Sequence, residues 1–356
     1  MSTRAFVIAE AGVNHNGSLD LALQLVDAAK EAGADAVKFQ TFTTAGVVVR
    51  SASKAEYQKK STGADESQFD MIRKLELDGD AHRRLVARCE ERGIRFLSTP
   101  FDLPSLGLLL DLGVPRLKIA SGEITNRRLL HASARSGLPI ILSTGMSTLA
   151  DVEAALAVLA AGYLARTGAQ LEPEAAYISS GGQAALRENV TLLHCTTEYP
   201  APYVDVNLRA METLQRSFGL RVGYSDHTPN IFVCLAAVAL GATVVEKHFT
   251  LDAKLPGPDH AASLEPPKLK ELVDGVRAVE AALGTARKVP APSELKNRDV
   301  ARRSLVAARP IRAGERFTAD ALDAKRPGTG ISAMRIDEWV GKVAGRDYAA
   351  DDLIEP

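Results

Sequence analysis

An apolar run near residue 245, "ATVVEKHFTL", ends in a carboxylate, an ammonium and an imidazole: Glu246, Lys247 and His248. A β-strand sends alternate side chains to opposite faces. Glu246 and His248 therefore share a face, and Lys247 takes the other, where it is expected to serve helix packing or solvent. The same spacing joins Ser225 to His227 in "RVGYSDH" and Lys38 to Gln40 in "ADAVKFQTF". Other apolar runs end on Glu10, Ser98, Thr99, Lys118, Ser121, Glu123, Ser143, Thr197 and Tyr199. Lysines and hydroxyls gathered from separate strands would form a pocket for a small, multiply charged anion, because phosphate and carboxylate oxygens both need donors. His227 and His248, from neighbouring strands, would meet at one divalent metal able to polarise a carbonyl oxygen.

Each residue taken alone has a plainer reading. A strand-end lysine is commonly solvated, a single histidine is commonly a hydrogen-bonded structural residue, and a Ser or Thr after a strand is commonly turn chemistry. Glu123 on that reading caps the segment that follows it. A polar residue at nearly every strand exit is what favours chemistry.

Those exits imply an architecture. The strand-like runs are "AFVIAEAG", "ADAVKFQTF", "IRFLSTPF", "PRLKIASGE", "PIILSTGM", "VTLLHCTTEYP", "RVGYSDH" and "ATVVEKHF". Helical periodicity fills the gaps, as in "SLDLALQLVDAAKEAG", which opens at Ser18, a suitable N-cap, and stops at Gly33. Strands alternating with helices predict a parallel sheet, and this count over roughly 250 residues has the rhythm of a (β/α)8 TIM barrel, with an open doubly wound sheet as the competitor. Residues 51–78 form a polar excursion on the side where barrel loops build active sites. Residues 162–189 extend the connection between the fifth and sixth strands, and "ISSGGQ" within them reads as mobile. The barrel is expected over residues 1–284, a Pro- and charge-rich linker over 285–300, and a small β-rich module over 301–356.

Composition narrows the class. Apolar residues make up 46% and charged residues 24%, with a formal net charge of −1, which argues against nucleic acid or an anionic membrane as partner. No apolar run reaches membrane-spanning length, and no signal peptide opens the chain, so a soluble, cytoplasmic protein is expected. Cys89, Cys195 and Cys234 are too few and too scattered for a disulfide framework. On the residues alone, a different metal-dependent lyase or aldolase stays open, with a Schiff base at Lys38 or Lys118. So does a binding role for the C-terminal module.

The stretches "IAEAGVNHNGSL", "AVKFQTF", "FLSTPFD", "KIASGE", "ILSTGM", "LLHCTTEYP", "GYSDHT", "VVEKHFTLD", "PGPDH" and "KRPGTGIS" occur in order through almost the whole chain. Together they resemble the bacterial sialic acid (nonulosonate) synthase family, whose C-terminal module is an antifreeze-like (SAF) domain. The resemblance implies condensation of phosphoenolpyruvate with an N-acylated mannose-type aminosugar, giving a nine-carbon 2-keto acid and phosphate. It implies phosphoenolpyruvate contacts at Lys38, Thr99, Lys118, Ser121, Ser143 and Ser225, and Mn²⁺ or Mg²⁺ on His227 and His248. Around the sugar and the reacting carbons it implies Glu10, Gln40, Glu123, Tyr199, Glu246 and Asp259, with Glu10, Glu123 and Glu246 as the catalytic carboxylates. Arg326 would reach from the small module into the partner's active site in a domain-swapped homodimer. "GEITN", "DESQFDMIRKLELD" and "GISAMR" look closest to legionaminic acid synthases, which use 2,4-diacetamido-2,4,6-trideoxymannose; N-acetylneuraminate synthases, using N-acetylmannosamine, are the alternative. Thr197 stands where some sialic acid synthases carry asparagine, which weakens any phosphate contact there.

Overall fold

Among residues 4–56, 58–59 and 65–356, which the computed structural model describes, eight apolar runs become parallel strands. They are β1 (Phe6–Gly12), β2 (Ala36–Thr41), β3 (Arg95–Pro100), β4 (Leu117–Ile119), β5 (Ile140–Ser143), β6 (Val190–Cys195), β7 (Arg221–Asp226) and β8 (Val244–His248). Their order is β3-β2-β1-β8-β7-β6-β5-β4. The end strands β3 and β4 lie side by side without a ladder between them, so packing closes the barrel there. Part of the polar excursion, residues 57 and 60–64, lies outside the described residues.

Helices cover the outer face because each carries an apolar stripe at helical spacing. In Leu19–Glu31 the stripe is Ala22, Leu25, Val26 and Ala29; Ser18 Oγ accepts from Leu21 N, and the chain turns out of the helix at Gly33. The inner face is layered. At the N-terminal end of the strands, Arg95 and Arg116 lie over the Phe6 ring at 5.3 and 4.9 Å. Ile8, Ala36, Leu97, Ile141, Leu193 and Val244 form the next layer, a dry apolar plug. Two residues further along, the inward side chains are Glu10, Lys38, Thr99, Ser143 and Glu246, with Cys195 on β6.

Gly223 shows how tightly β7 is packed. A Cβ there would lie 2.3 Å from the Val244 carbonyl oxygen and 2.7 Å from Leu193 Cδ2. The "ISSGGQ" segment, whose composition suggests mobility, is a junction between helices Pro173–Ile178 and Ser180–Asn189. Ser179 Oγ donates to Ala176 O at 2.7 Å and accepts from Gly182 N at 3.0 Å. Gly182 sits so close to Ala176 O that a Cβ would be 1.9 Å away.

The chain divides into two units between Gly284 and Thr285. The stretch whose composition marks a linker contains a helix, Pro292–Ala301, where Glu294 Oε2 accepts from Ala291 N at 2.7 Å. Beyond it β9 (Ser304–Ala307) pairs antiparallel with β10 (Leu322–Lys325). Leu305, Ile311, Phe317, Trp339, Tyr348 and Ile354 give this unit its own core. Among the described residues no helix is long and apolar enough to cross a membrane.

Replacing Gly223 by Ala forces the added methyl against backbone of β8. Overpacking of this kind costs about 1–3 kcal/mol. Urea denaturation of Gly223→Ala should report a loss in that range, and an unchanged midpoint would mean that β7 and β8 are free to separate.

Candidate active site

The parallel register decides which polar side chains meet. Glu10 is paired with Lys38 of β2 on one side and with His248 of β8 on the other. Gln40 faces Thr99, Cys195 faces Ser225, and Ser225 faces Glu246. They lie two residues beyond the apolar plug along their strands, or four for Gln40 and His248, and line one cavity. The result is a cavity of about 700 Å³ at the C-terminal mouth of the barrel.

At its floor two ammonium groups meet two carboxylates. Lys38 Nζ lies 2.7 Å from Glu10 Oε2, 3.8 Å from Glu246 Oε2, and donates to Thr99 Oγ1 at 2.9 Å. Lys118 Nζ lies 3.4 Å from Glu246 Oε1, which also accepts from Ser225 Oγ at 2.9 Å. All four charged side chains are buried. Burial alone would push Glu246 up, but Lys118, Lys38 and the Ser225 hydroxyl outweigh it and hold the carboxylate down at about 2. Burial dominates at Glu10 and pushes it up to about 7, against the pull of Lys38. Two neighbouring carboxylates thus differ in their readiness to carry a proton, the condition for one to do acid–base work while the other stays ionised.

Above the floor stand the imidazoles. The His227 and His248 ring centroids are 5.4 Å apart, and Tyr199 packs on both, at 4.1 and 5.5 Å. His227 Nδ1 donates to the Thr196 carbonyl at 2.6 Å, which leaves Nε2 as the lone-pair nitrogen. His248 Nδ1 is buried without a hydrogen-bond partner, with Asp259 Oδ2 at 3.9 Å. Burial keeps both rings neutral: His227 is lowered to about 4, and His248 falls well below its ordinary value. Neutral rings, one with a fixed tautomer and one with an orphaned nitrogen, suit a divalent metal. Among the described residues no group of three or more His, Cys, Asp or Glu side chains could hold one, so oxygen from substrate or water would have to complete the coordination.

Glu10, Lys38, Gln40, Thr99, Lys118, Ser121, Ser143, Tyr199, Ser225, His227, Glu246, His248 and Asp259 all line this one cavity. Ser143 Oγ is buried there without a partner, and Ser121 Oγ accepts from Gly145 N at 2.9 Å. Glu123 is not among the lining residues. Its carboxylate accepts from the side-chain Nδ2 of Asn126 at 2.8 Å, and Asn126 caps the helix that follows by accepting from Leu129 N at 3.2 Å. Arg326 belongs to the second unit, where it is exposed. Lys247 does face away from the cavity, but not toward solvent: it is fully buried against Asp226 at 2.9 Å. Ser98 also turns outward, to Thr41 Oγ1 at 2.6 Å.

One wall was not visible in the motifs. Val13, Phe42 and Leu75 form an apolar cluster with Ile72 and Phe101, and all five line the cavity, as does Met71. Met71, Ile72 and Leu75 come from the excursion after β2. The signal was the apolar spacing within "DMIRKLELD", hidden by the polar composition around it.

Comparison with known proteins gives a match to the NeuB family over residues 25–288 and to the SAF domain over residues 302–356. The chain is 50% identical to the N,N'-diacetyllegionaminic acid synthase of Campylobacter jejuni, covering 99% of each chain. It is 46% identical to the protein of the same name from Legionella pneumophila, covering 98% of this chain and 93% of that one. Among solved structures, the N-acetylneuraminic acid (sialic acid) synthetase of Leptospira borgpetersenii, crystallised with citrate, matches with a TM-score of 0.67 at 34% identity. That match covers 83% of this chain and 90% of the other.

The two carboxylates have opposite pH signatures. Glu246 is depressed from 4.5 to about 2, so its stabilising contribution is complete above pH 4.5 and lost as pH falls toward 2. Glu10 is raised from 4.5 to about 7, so the protonated form favours folding below pH 4.5 and that advantage disappears as pH rises through 7. In chemical denaturation, Glu246→Gln should therefore lose most relative to the parent above pH 4.5. Glu10→Gln should gain relative to the parent as pH passes 7. Parallel pH profiles for the two variants would contradict the assignment.

Proposed function

The chain belongs to the NeuB family, and from that membership we propose that it joins phosphoenolpyruvate to 2,4-diacetamido-2,4,6-trideoxymannose, forming N,N'-diacetyllegionaminate and phosphate. The observation that carries the reading is the convergence of two buried ammonium groups, two inequivalent carboxylates and two neutral imidazoles on one cavity.

Lys38 and Lys118 bind the phosphate and carboxylate of phosphoenolpyruvate, with Thr99, Ser121, Ser143 and Ser225 donating to the remaining oxygens. His227 and His248 would hold a divalent metal, Mn²⁺ or Mg²⁺, which when bound would polarise the sugar aldehyde as a Lewis acid. The methylene carbon of phosphoenolpyruvate attacks the aldehyde carbon, forming the new C–C bond, and the aldehyde oxygen takes a proton. Water adds to the resulting cationic C2, and the tetrahedral intermediate releases phosphate to leave the 2-keto acid. Glu10, poised near neutrality, takes or gives the moving proton at its carboxyl oxygen, while Glu246 stays ionised and orients water together with Ser225. Holding both reactants in one desolvated cavity supplies the orientation that a bimolecular carbon–carbon bond formation needs. Gln40, Tyr199 and Asp259 contact the sugar.

The acceptor is the 6-deoxy sugar rather than N-acetylmannosamine. The higher identity to proteins named legionaminic acid synthase supports this, as does the apolar wall of Val13, Phe42, Ile72 and Leu75, suited to a C6 methyl and an acetyl group. The reaction runs in the cytoplasm, where phosphoenolpyruvate is made. In a domain-swapped homodimer, Arg326 from one subunit's SAF domain closes the partner's cavity over the sugar.

An assay of phosphate release with both aminosugars side by side tests the whole reading. Release should require acceptor, stop with excess chelator and return with Mn²⁺, and the 6-deoxy sugar should give the higher kcat/KM. Release that persists in chelator would remove the metal step. Leu75→Gln should cut the preference between the two acceptors by about tenfold, the worth of a contact to one methyl group. Arg326→Ala should raise KM for the aminosugar roughly tenfold or more, the size of a lost charge-assisted hydrogen bond, and leave KM for phosphoenolpyruvate little changed. A fully active monomer in sedimentation would end the swapped arrangement.

A further inference from the structure

On the outer side of the strands that carry the imidazoles lies a second charged cluster. The β7–β8 ladder ends at the rung pairing Asp226 with Lys247. Neither side chain has any exposure, and Lys247 Nζ donates to Asp226 Oδ2 at 2.9 Å. The same ammonium donates to the Thr228 carbonyl. Asp226 Oδ1 accepts from the Tyr224 hydroxyl at 3.1 Å and from Thr228 N at 2.9 Å. Its Oδ2 accepts from Thr228 Oγ1 at 3.2 Å and from Cys234 Sγ at 3.1 Å.

The connectivity matters more than the number of bonds. His227 lies between Asp226 and Thr228, and one ammonium grips both of those neighbours. That ammonium belongs to the residue immediately before His248. Past the last rung, the backbones of the two imidazoles are tied to other loops: Ala201 N donates to His227 O at 2.8 Å, and Leu264 N to His248 O at 2.9 Å. Lys247 ties the two segments to each other.

A buried ion pair is weak support for stability, because well-packed apolar residues of similar volume commonly do as well or better. A fully bonded one can instead specify geometry. We infer that Asp226 and Lys247 are positioning residues, which set the spacing of His227 and His248 from behind the barrel wall. The inference rests on the reading that those two imidazoles hold the metal, and it gives the outward half of "SDH" and "EKH" a role in metal affinity.

Direct Mn²⁺ binding, followed by the spin-resonance signal of free Mn²⁺ on the purified full chain, tests it. Asp226→Asn/Lys247→Met removes both charges together and so avoids leaving one of them buried and unpaired. Provided its melting curve stays cooperative, this variant should bind Mn²⁺ about 10–100-fold more weakly, as is usual when groups that orient a ligand are lost. Its affinity for phosphoenolpyruvate should change little. Thr228→Val, which removes one hydroxyl contact and keeps the ion pair, is the milder companion; it should weaken Mn²⁺ binding without shifting the melting temperature. Parent-like Mn²⁺ affinity in the folded variants would overturn the inference. His227→Ala separates the two levels: if it leaves Mn²⁺ binding intact, the metal reading itself fails. If it abolishes binding while the double variant and Thr228→Val bind like the parent, only the positioning role falls.

Discussion

Charges inside a barrel must answer one another, because there is too little water to answer them. Lys38 and Lys118 project into the interior one layer above an apolar plug, and Glu10 and Glu246 are the groups that meet them. The lysines hold Glu246 down, whereas burial raises Glu10 against the pull of Lys38, and both cations line the cavity. This arrangement demands a strict register. A one-residue slip in β2 or β8 would exchange an inward lysine or glutamate for an outward valine, phenylalanine or lysine.

The same strands carry two kinds of ion pair. Inside, Glu246 is shared between lysines from two other strands and faces the cavity. Outside, Lys247 is locked to Asp226 with no exposure at all. On the proposed reading the inner pairs open to substrate, whose phosphate or carboxylate oxygens would replace a carboxylate as partner. The outer pair has no such competitor, and it is bonded to the backbone N–H and carbonyl of Thr228, the residue immediately after an imidazole. Period-two alternation therefore divides the strand end into a face for chemistry and a face that holds it in place.

Much of this was legible in the chain. Eight apolar runs became eight strands, and Ser18 and Gly33 bound the first helix. Alternation correctly put Glu246 with His248 and Ser225 with His227 on the inward face. Composition misled where local chemistry had a nonlocal use. The Ser and Gly residues of "ISSGGQ" make a close helix junction because Gly182 must clear a carbonyl oxygen. Alternation points Lys247 toward helix packing or solvent, because no rule of spacing reveals that Asp226, 21 residues away, is its partner.

The sequence by itself determined the elements, the alternation of their faces and the residue types available at each strand exit. These depend on short-range sterics and on periodicity, which any stretch of chain carries alone. Only the tertiary structure decided which carboxylate answers which lysine, that the excursion after β2 supplies an apolar wall, and that the two imidazoles stand side by side with one nitrogen unbonded. Those outcomes depend on distances between residues far apart in sequence. They follow from closing the sheet into a barrel, and closure is a property of all eight strands together.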